Sequence, residues 1–174
     1  MIETRQQVSV IAPIDTTWSY ARDVERWAEI MPGYQSCEIV DDDNSLWVLK
    51  VGVGGLVRTV KVDVHVDEWA GPERVDFSFR LRGDPVEGTG SYHALPEGDD
   101  RTQVILHVRV NGSGPMAPMW EAMGGPVLPR FANGFAEQLK ARIELAAGTA
   151  APASPIRLSM LGRVLAWLKR LFRR

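Results

Sequence analysis

Three segments of the chain alternate between apolar and polar residues, and this pattern constrains the fold more than any other feature. Residues 57–69 carry valine at positions 60, 62, 64 and 66 with polar residues between them, and residues 74–82 and 101–110 follow the same rule. A period of two is that of a strand with one buried face and one face in water. The sequence therefore predicts an antiparallel sheet whose apolar face must be covered by another element.

The remaining segments supply further strands and the cover. Turn signals separate additional strands at 2–11, 34–41, 46–53 and 86–95. Helical spacing predicts one broken helix or two short ones over 14–31 and a long helix over 115–146, with prolines at 118, 126 and 129 interrupting its first half. Only the long helix is large enough to cover the sheet. We predict an α+β fold in which a curved antiparallel sheet of six to seven strands wraps around this helix.

Charge divides the chain into two parts. Residues 1–155 carry 14 Lys or Arg and 22 Asp or Glu, whereas residues 156–174 carry six Lys or Arg and no acidic residue. An acidic body argues against nucleic acid as its partner. We therefore expect a ligand-binding domain at 1–147, a small and proline-containing linker at 148–155, and a separate helix at 156–174.

The segment 156–174 predicts a strongly amphipathic helix, which we interpret as a membrane anchor. Its apolar face comprises Leu161, Val164, Leu165, Leu168, Leu171 and Phe172, with Trp167 at the edge. Its basic face comprises Arg163, Lys169, Arg170 and Arg173. This composition is typical of a helix that lies in the interface of an anionic membrane and does not span it. The alternatives are docking in the groove of a partner protein and docking on the chain's own domain.

The sequence offers no convincing catalytic or metal-binding group. His65, His93 and His107 fall on the polar faces of their strands, away from a pocket beneath the sheet, and their spacing does not indicate a metal site. Cys37 has no histidine beside it, and a lone cysteine is typical of inert core. A single cysteine and no visible secretory leader favour a cytoplasmic protein, bound peripherally to the inner face of the cell membrane.

The inward residues of the sheet and helix instead predict an apolar pocket. Flexible methionines beside the interrupted part of the long helix favour an adaptable lining for a long apolar ligand. The predicted pocket residues are Val60, Val62, Val64, Val66, Phe77, Phe79, Tyr92, Leu106, Met116, Met119, Trp120, Met123, Phe131 and Phe135. We expect no covalently bound cofactor there, but a bound quinone or lipid.

Several local stretches resemble one superfamily. They are Ala12–Trp18, Asp23–Gly33, Lys50–Gly54, Gly88–Tyr92 and Val110–Pro115. Together they resemble the START-like helix-grip superfamily of polyketide cyclases and lipid-transfer proteins, and within it the CoxG family of carbon monoxide dehydrogenase proteins. Residues 23–32 are also similar to the coenzyme-Q-binding proteins. The resemblance implies a cavity between sheet and long helix, association with the membrane and with a molybdenum-containing dehydrogenase, and in some members an amphipathic anchor.

Three functions follow from these observations. The first is a carrier that takes an isoprenoid quinone, such as menaquinone, or a similar lipid from the membrane and delivers it to, or recruits, a respiratory dehydrogenase. The second is an enzyme of the cyclase or aromatase kind, for which Tyr92 is the clear inward candidate group. The third is a recruitment adaptor whose core is filled and which binds no ligand.

Overall fold

The computed structural model describes residues 1–53 and 55–150 of the chain. Its elements are β1 Ile2–Val10, α1 Ile14–Ala21, α2 Val24–Glu29, β2 Tyr34–Ile39, β3 Asn44–Val53, β4 Leu56–Ala70, β5 Arg74–Leu81, β6 Val86–Pro96, β7 Thr102–Gly112 and α3 Ala117–Ala147. The predicted tail at 156–174 and most of the predicted linker lie outside the described residues. Within them, no helix is long and apolar enough to cross a membrane.

The seven strands form one antiparallel sheet in the order β1-β7-β6-β5-β4-β3-β2. Because sequential strands are neighbours, their turns alternate between the two ends of the sheet. Turns 40–43, 71–73 and 97–101 lie at one end, and turns 54–55 and 82–85 lie at the other. The α+β prediction of a curved antiparallel sheet with a long carboxy-terminal helix is confirmed.

The alternating segments form strands with one buried and one wet face, as predicted. On β4, Val62, Val64 and Val66 are buried, whereas Lys61 and His65 between them are exposed. The 14–31 segment forms two short helices, one of the two arrangements that the spacing allowed. The break falls at Asp23, whose carboxylate accepts hydrogen bonds from the backbone N–H groups of the first turn of α2 and so starts a new helix.

Helix α3 is continuous over 31 residues, although its prolines predicted an interrupted first half. Pro118 lies in the first turn, where a missing backbone N–H leaves no intrahelical bond unmade. Pro126 and Pro129 lie inside the helix and leave the carbonyls four residues earlier without their usual donors. Both prolines are exposed, so water can reach this side of the helix and satisfy those carbonyls.

The carboxyl end of α3 is tied to the end of β1. The buried carboxylate of Glu144 accepts a hydrogen bond of 2.9 Å from the backbone N–H of Ile11 and also pairs with Lys140. Lys140 in turn donates to the carbonyl of Ser9 at 2.7 Å. The helix then ends at Gly148, whose φ of 70° gives the left-handed cap that glycine favours. These bonds hold α3 across the sheet and determine where the chain leaves the domain.

Candidate functional site

An apolar cavity of about 290 Å³ lies between the inner face of the sheet and α3. Strands β3, β4, β5 and β7 form its floor, and one face of α3 forms its roof. The residues used below are Trp27, Val62, Phe77, Leu106, Trp120, Met123 and Phe135, all of which line it. Its volume is at the lower end of the range for ligand pockets, about 300–1,000 Å³.

The cavity runs along α3 from a closed end to an open end. Phe135 and Trp120 both line it and are 15 residues apart on the helix, which corresponds to about 22 Å at 1.5 Å per residue. Near the closed end, Ala132 is 8% exposed, whereas Met123 on the wall is 38% exposed. The mouth therefore lies at the amino end of α3.

The mouth is organised by a single arginine on β4. The Arg58 guanidinium lies 5.9 Å from the centre of the Trp120 ring and forms an ion pair of 2.8 Å with Asp84. These contacts connect the β3–β4 turn, the β5–β6 turn and the first turns of α3. Glu121, also on the wall, pairs with the amino group of Met1. The charged groups of the site are thus at its mouth and already have partners.

The closed end is built from aromatic rings around Trp27, which is 5% exposed. The Trp27 ring meets Phe77 edge to face at 5.7 Å and Phe135 edge to face at 6.3 Å, and it is tilted against Tyr92 at 6.1 Å. Such pairs stabilise a packed core beyond their buried area. The aromatic cluster therefore closes the cavity on the side away from the mouth.

Two glycines on β6 make room for the phenylalanines of the floor. A Cβ atom on Gly90 would lie 2.2 Å from Cζ of Phe77, and one on Gly88 would lie 2.3 Å from Cζ of Phe79. Each ring therefore lies directly over the glycine of the neighbouring strand. Because the rings occupy this space on the sheet, they leave the volume above it open.

Ten of the fourteen predicted pocket residues lie on the cavity wall. They are Val60, Val62, Val64, Phe77, Phe79, Leu106, Trp120, Met123, Phe131 and Phe135. Whether they bind a ligand stays a prediction.

The other four predicted residues lie elsewhere, which corrects their assignment to the wall. Val66 and Tyr92 point inward but are buried in the core beyond the closed end of the cavity. Met116 and Met119 are 49% and 43% exposed because they lie at the start of α3, before its lining face begins.

The sequence reasoning missed a whole strand of the wall and two helix positions. Trp47, Leu49 and Val51 of β3 line the cavity, as do Val127 and Leu128 of α3. Strand β3 is apolar on both faces over much of its length, so its alternation gave no reliable inward side. Val127 and Leu128 lie between the two internal prolines, where the expected interruption hid the helical periodicity.

The structure places the histidines and the cysteine apart from the cavity. His65 Nδ1 lies 2.9 Å from Oδ1 of Asn44, and His107 lies 3.4 Å from Glu3, both on the outer face of the sheet. Cys37 is half-buried on β2, where burial and the nearby Glu25 raise the pKa of its thiol to about 11. In the part of the chain that the structure describes, no three metal-binding side chains converge.

The polar content of the wall is correspondingly small. Apart from the three indole groups, Ser91 and Glu121 are the only residues with polar side chains among those that line the cavity in the described structure. The indole N–H of Trp47 donates to Ser45 at 2.9 Å, whereas that of Trp27 has no partner among the described residues. Chemically, this arrangement can surround an apolar molecule but provides few groups for acid–base work.

An antiparallel sheet closed over a long helix around an apolar cavity defines the chain as a helix-grip protein. A family model described as polyketide cyclase / dehydrase and lipid transport matches residues 10–136. The chain therefore belongs to the polyketide cyclase / dehydrase and lipid transport family.

Solved structures of low sequence identity share the fold. A conserved protein from Geobacillus kaustophilus has a TM-score of 0.72 at 18% identity, covering 83% of this chain and 97% of its own. A START superfamily protein from Mycobacterium smegmatis has a TM-score of 0.62 at 19% identity, covering 83% and 98%. The Zhui aromatase/cyclase from Streptomyces sp. R1128 has a TM-score of 0.55 at 20% identity, covering 86% and 98%.

A Streptomyces cyaneus protein, whose name assigns it provisionally to the polyketide cyclases, is 38% identical over 37 residues. This match spans 21% of the present chain and 24% of the relative's length, so the chain covers about a quarter of that relative.

Proposed function

We propose that the protein binds an apolar molecule, an isoprenoid quinone or a similar lipid, and presents it to a partner at a membrane surface. The observation that carries this proposal is the cavity, a channel of about 290 Å³ whose wall is almost wholly aliphatic and aromatic. An unpaired polar group of a hydrophilic ligand would lose roughly 1–3 kcal/mol on entering such a site. An apolar ligand loses nothing comparable and gains from burial.

Occupancy of the cavity is tested by filling it. Val64 is 5% exposed and lines the floor, so Val64→Trp should occupy ligand space, whereas Lys61→Trp on the outer face of the same strand adds the same ring to the surface. We expect the first variant alone to lose lipid that co-purifies with the wild-type protein, measured by mass spectrometry of the extracted protein. Equal lipid content in both variants, or a hydrophilic metabolite in place of lipid, would contradict the proposal.

Attachment to the membrane rests on the sequence of residues 156–174. The six basic residues and the absence of acidic ones suit an anionic surface, to which each Lys or Arg adds up to about 1 kcal/mol. Leu165→Asp with Leu168→Asp should release the full chain from anionic vesicles in a sedimentation assay. The matched control is Gly162→Asp with Ala166→Asp, which adds the same charge to the predicted polar face. Equal release by both pairs would favour a simple charge effect and remove the support for an apolar anchoring face.

The geometry of the domain suggests how a membrane-bound protein would be oriented. The chain leaves the domain beside Ile11, at the sheet end opposite the mouth, and α3 spans about 46 Å between the two ends. Residues 150–155 reach at most about 21 Å when fully extended. An upright domain held by the tail would therefore carry its mouth away from the lipid. This orientation suits presentation of the ligand to a soluble enzyme.

The partner that we propose is a molybdenum-containing dehydrogenase, and its support is the resemblance of residues 23–33 and 50–54 to the CoxG family. The cytoplasmic, inner-face location belongs to the same proposal. The test is co-sedimentation of a purified dehydrogenase with vesicles that carry the full chain. Recruitment by the wild type but not by the Leu165→Asp, Leu168→Asp pair supports the adaptor role. The same dehydrogenase activity with and without the protein would contradict delivery.

A cyclase-like activity is the second candidate because the family that the chain belongs to includes cyclases and dehydrases. Glu121 is the only residue with an acidic or basic side chain on the wall that the structure describes, and it lies at the mouth. Glu121→Gln would abolish an acid–base reaction that uses this carboxylate and leave apolar binding intact. Turnover of an aromatic polyketide model substrate by the wild type, lost in this variant, would favour the enzyme.

A further inference from the structure

The aromatic cluster at the closed end of the cavity contains a buried hydrogen-bond donor that nothing in the described structure satisfies. Trp27 is 5% exposed, lines the cavity, and has no partner for its indole N–H among the described residues. A buried donor without an acceptor is costly, and folded proteins rarely keep one without a reason. The indole therefore marks a place where an acceptor from outside the chain would be favourable.

The surroundings of Trp27 restrict what that acceptor can be. The ring is enclosed by Phe77, Phe135 and Tyr92, none of which offers a charged group. A carboxylate or phosphate would lose its hydration without a counter-charge and so would be disfavoured. A neutral carbonyl oxygen on an otherwise apolar, planar molecule meets both conditions, because it accepts one hydrogen bond and its ring can pack against the aromatic side chains.

The position of Trp27 also gives the direction of binding. The ring contacts Phe135, about 22 Å along α3 from Trp120 at the mouth. A ligand whose carbonyl reaches Trp27 must enter with its head first and leave its hydrocarbon tail toward the mouth. We propose that Trp27 is the polar recognition group of the cavity and that the ligand is an apolar molecule with a carbonyl-bearing ring at its buried end. This inference rests on the proposed function and names the chemistry of its ligand.

A pair of probes that differ only in the carbonyl groups tests the proposal. The first is 2-decyl-1,4-naphthoquinone and the second is 2-decylnaphthalene, which has the same ring size and tail. We expect the full-length protein to bind the naphthoquinone at least tenfold more tightly in equilibrium dialysis. Trp27→Phe should reduce this preference to near one, because both probes suffer equally from the smaller ring but only the quinone loses its donor.

Tyr92→Phe is the matched control for this measurement. The Tyr92 hydroxyl is also buried without a described partner, but the residue does not line the cavity. Its removal should leave the preference for the naphthoquinone unchanged. A preference that survives Trp27→Phe, or one that disappears in Tyr92→Phe, would overturn the assignment to Trp27.

A measurement on the unaltered protein covers the case in which Trp27→Phe does not fold. In protein labelled with ¹⁵N-tryptophan, the indole N–H resonance of Trp27 should move downfield with 2-decyl-1,4-naphthoquinone and not with 2-decylnaphthalene. A resonance that both probes move equally overturns the hydrogen bond. If both probes bind with equal affinity, the inference fails while the apolar binding function stands. If neither binds, the proposed function fails, and the inference fails with it.

Discussion

Replacing Gly90 with alanine should shrink the cavity from its floor. The added Cβ would lie 2.2 Å from Cζ of Phe77, and ordinary contact needs about 3.4 Å, so the ring must withdraw by roughly 1.2 Å. Trp27 already lies against this ring at 5.7 Å, and the sheet lies beneath it. The remaining direction is into the cavity, whose wall Phe77 forms.

The magnitude follows from the cost of overpacking. Added methyl groups in a packed core destabilise by about 1–3 kcal/mol. In a domain of this size each 1 kcal/mol lowers Tm by about 2–4 °C. We expect Gly90→Ala to lower Tm by about 2–12 °C and to weaken binding of 2-decyl-1,4-naphthoquinone at least tenfold, which is about 1.4 kcal/mol. Gly88 is less suitable because its Cβ would also meet the backbone carbonyl of Arg109 at 2.4 Å.

The double variant Gly90→Ala with Phe77→Leu makes the test specific. Leucine has no ring over position 90, so the pair should recover binding relative to Gly90→Ala alone. Gly125→Ala is the control, since a Cβ there meets nothing within 4 Å and alanine is the better helix residue. Calorimetric melting and equilibrium dialysis provide the readouts. A Gly90→Ala protein with wild-type Tm and affinity would refute the reasoning, as would a double variant weaker than the single one.

Three further predictions concern individual side chains. Tyr92→Phe should raise the free energy of unfolding by about 1 kcal/mol in urea, because it removes a buried hydroxyl without a partner; an equal or lower value contradicts this. Cys37, with its pKa raised to about 11, should react with iodoacetamide at pH 8 far more slowly than in urea, and the rate should rise about tenfold per pH unit up to pH 11; a plateau near pH 9 would be evidence against it. Glu144→Ala should cost about 1–3 kcal/mol in the same urea assay by leaving the Ile11 N–H unpaired, with exposed Glu137→Ala as the near-neutral control.

The sheet was predictable because alternation carries its own direction. On β4 the inward positions Val60, Val62 and Val64 follow directly from the pattern, and all three line the cavity. A strand such as β3, with Leu46, Trp47, Val48 and Leu49 in succession, does not reveal which face is buried. Its assignment requires the register with β4, which pairs Trp47 with Val62, and this depends on the whole sheet.

Two properties of the site were beyond reach of local patterns. Gly88 and Gly90 indicated only a weak strand, because their function depends on the aromatic rings of the neighbouring strand. The helical spacing around Trp27 predicted a buried face but not the missing partner of its indole N–H. Satisfaction of a buried polar group is a property of the assembled core, since the acceptors come from elements far apart in the chain.

The length of the cavity makes a final prediction about its ligand. A 2-methylnaphthoquinone with an isoprenoid tail gains up to about 0.8 kcal/mol for each buried carbon group, so affinity should rise steeply while added units remain inside. Four isoprene units place sixteen carbons in line, about 20 Å at bond lengths near 1.5 Å. With its ring, such a molecule exceeds the roughly 22 Å between Phe135 and Trp120.

Affinity measured by equilibrium dialysis for tails of one to six units should therefore rise and then become constant at or before the fourth unit. The wild-type protein provides the reference, and Val64→Trp, which fills the floor, should move the break to a shorter tail. A constant gain through all six units would mean that the tail follows an apolar path beyond the mouth. No gain from the first unit onward would mean that the tail never enters, and that the ring alone occupies the space beside Trp27.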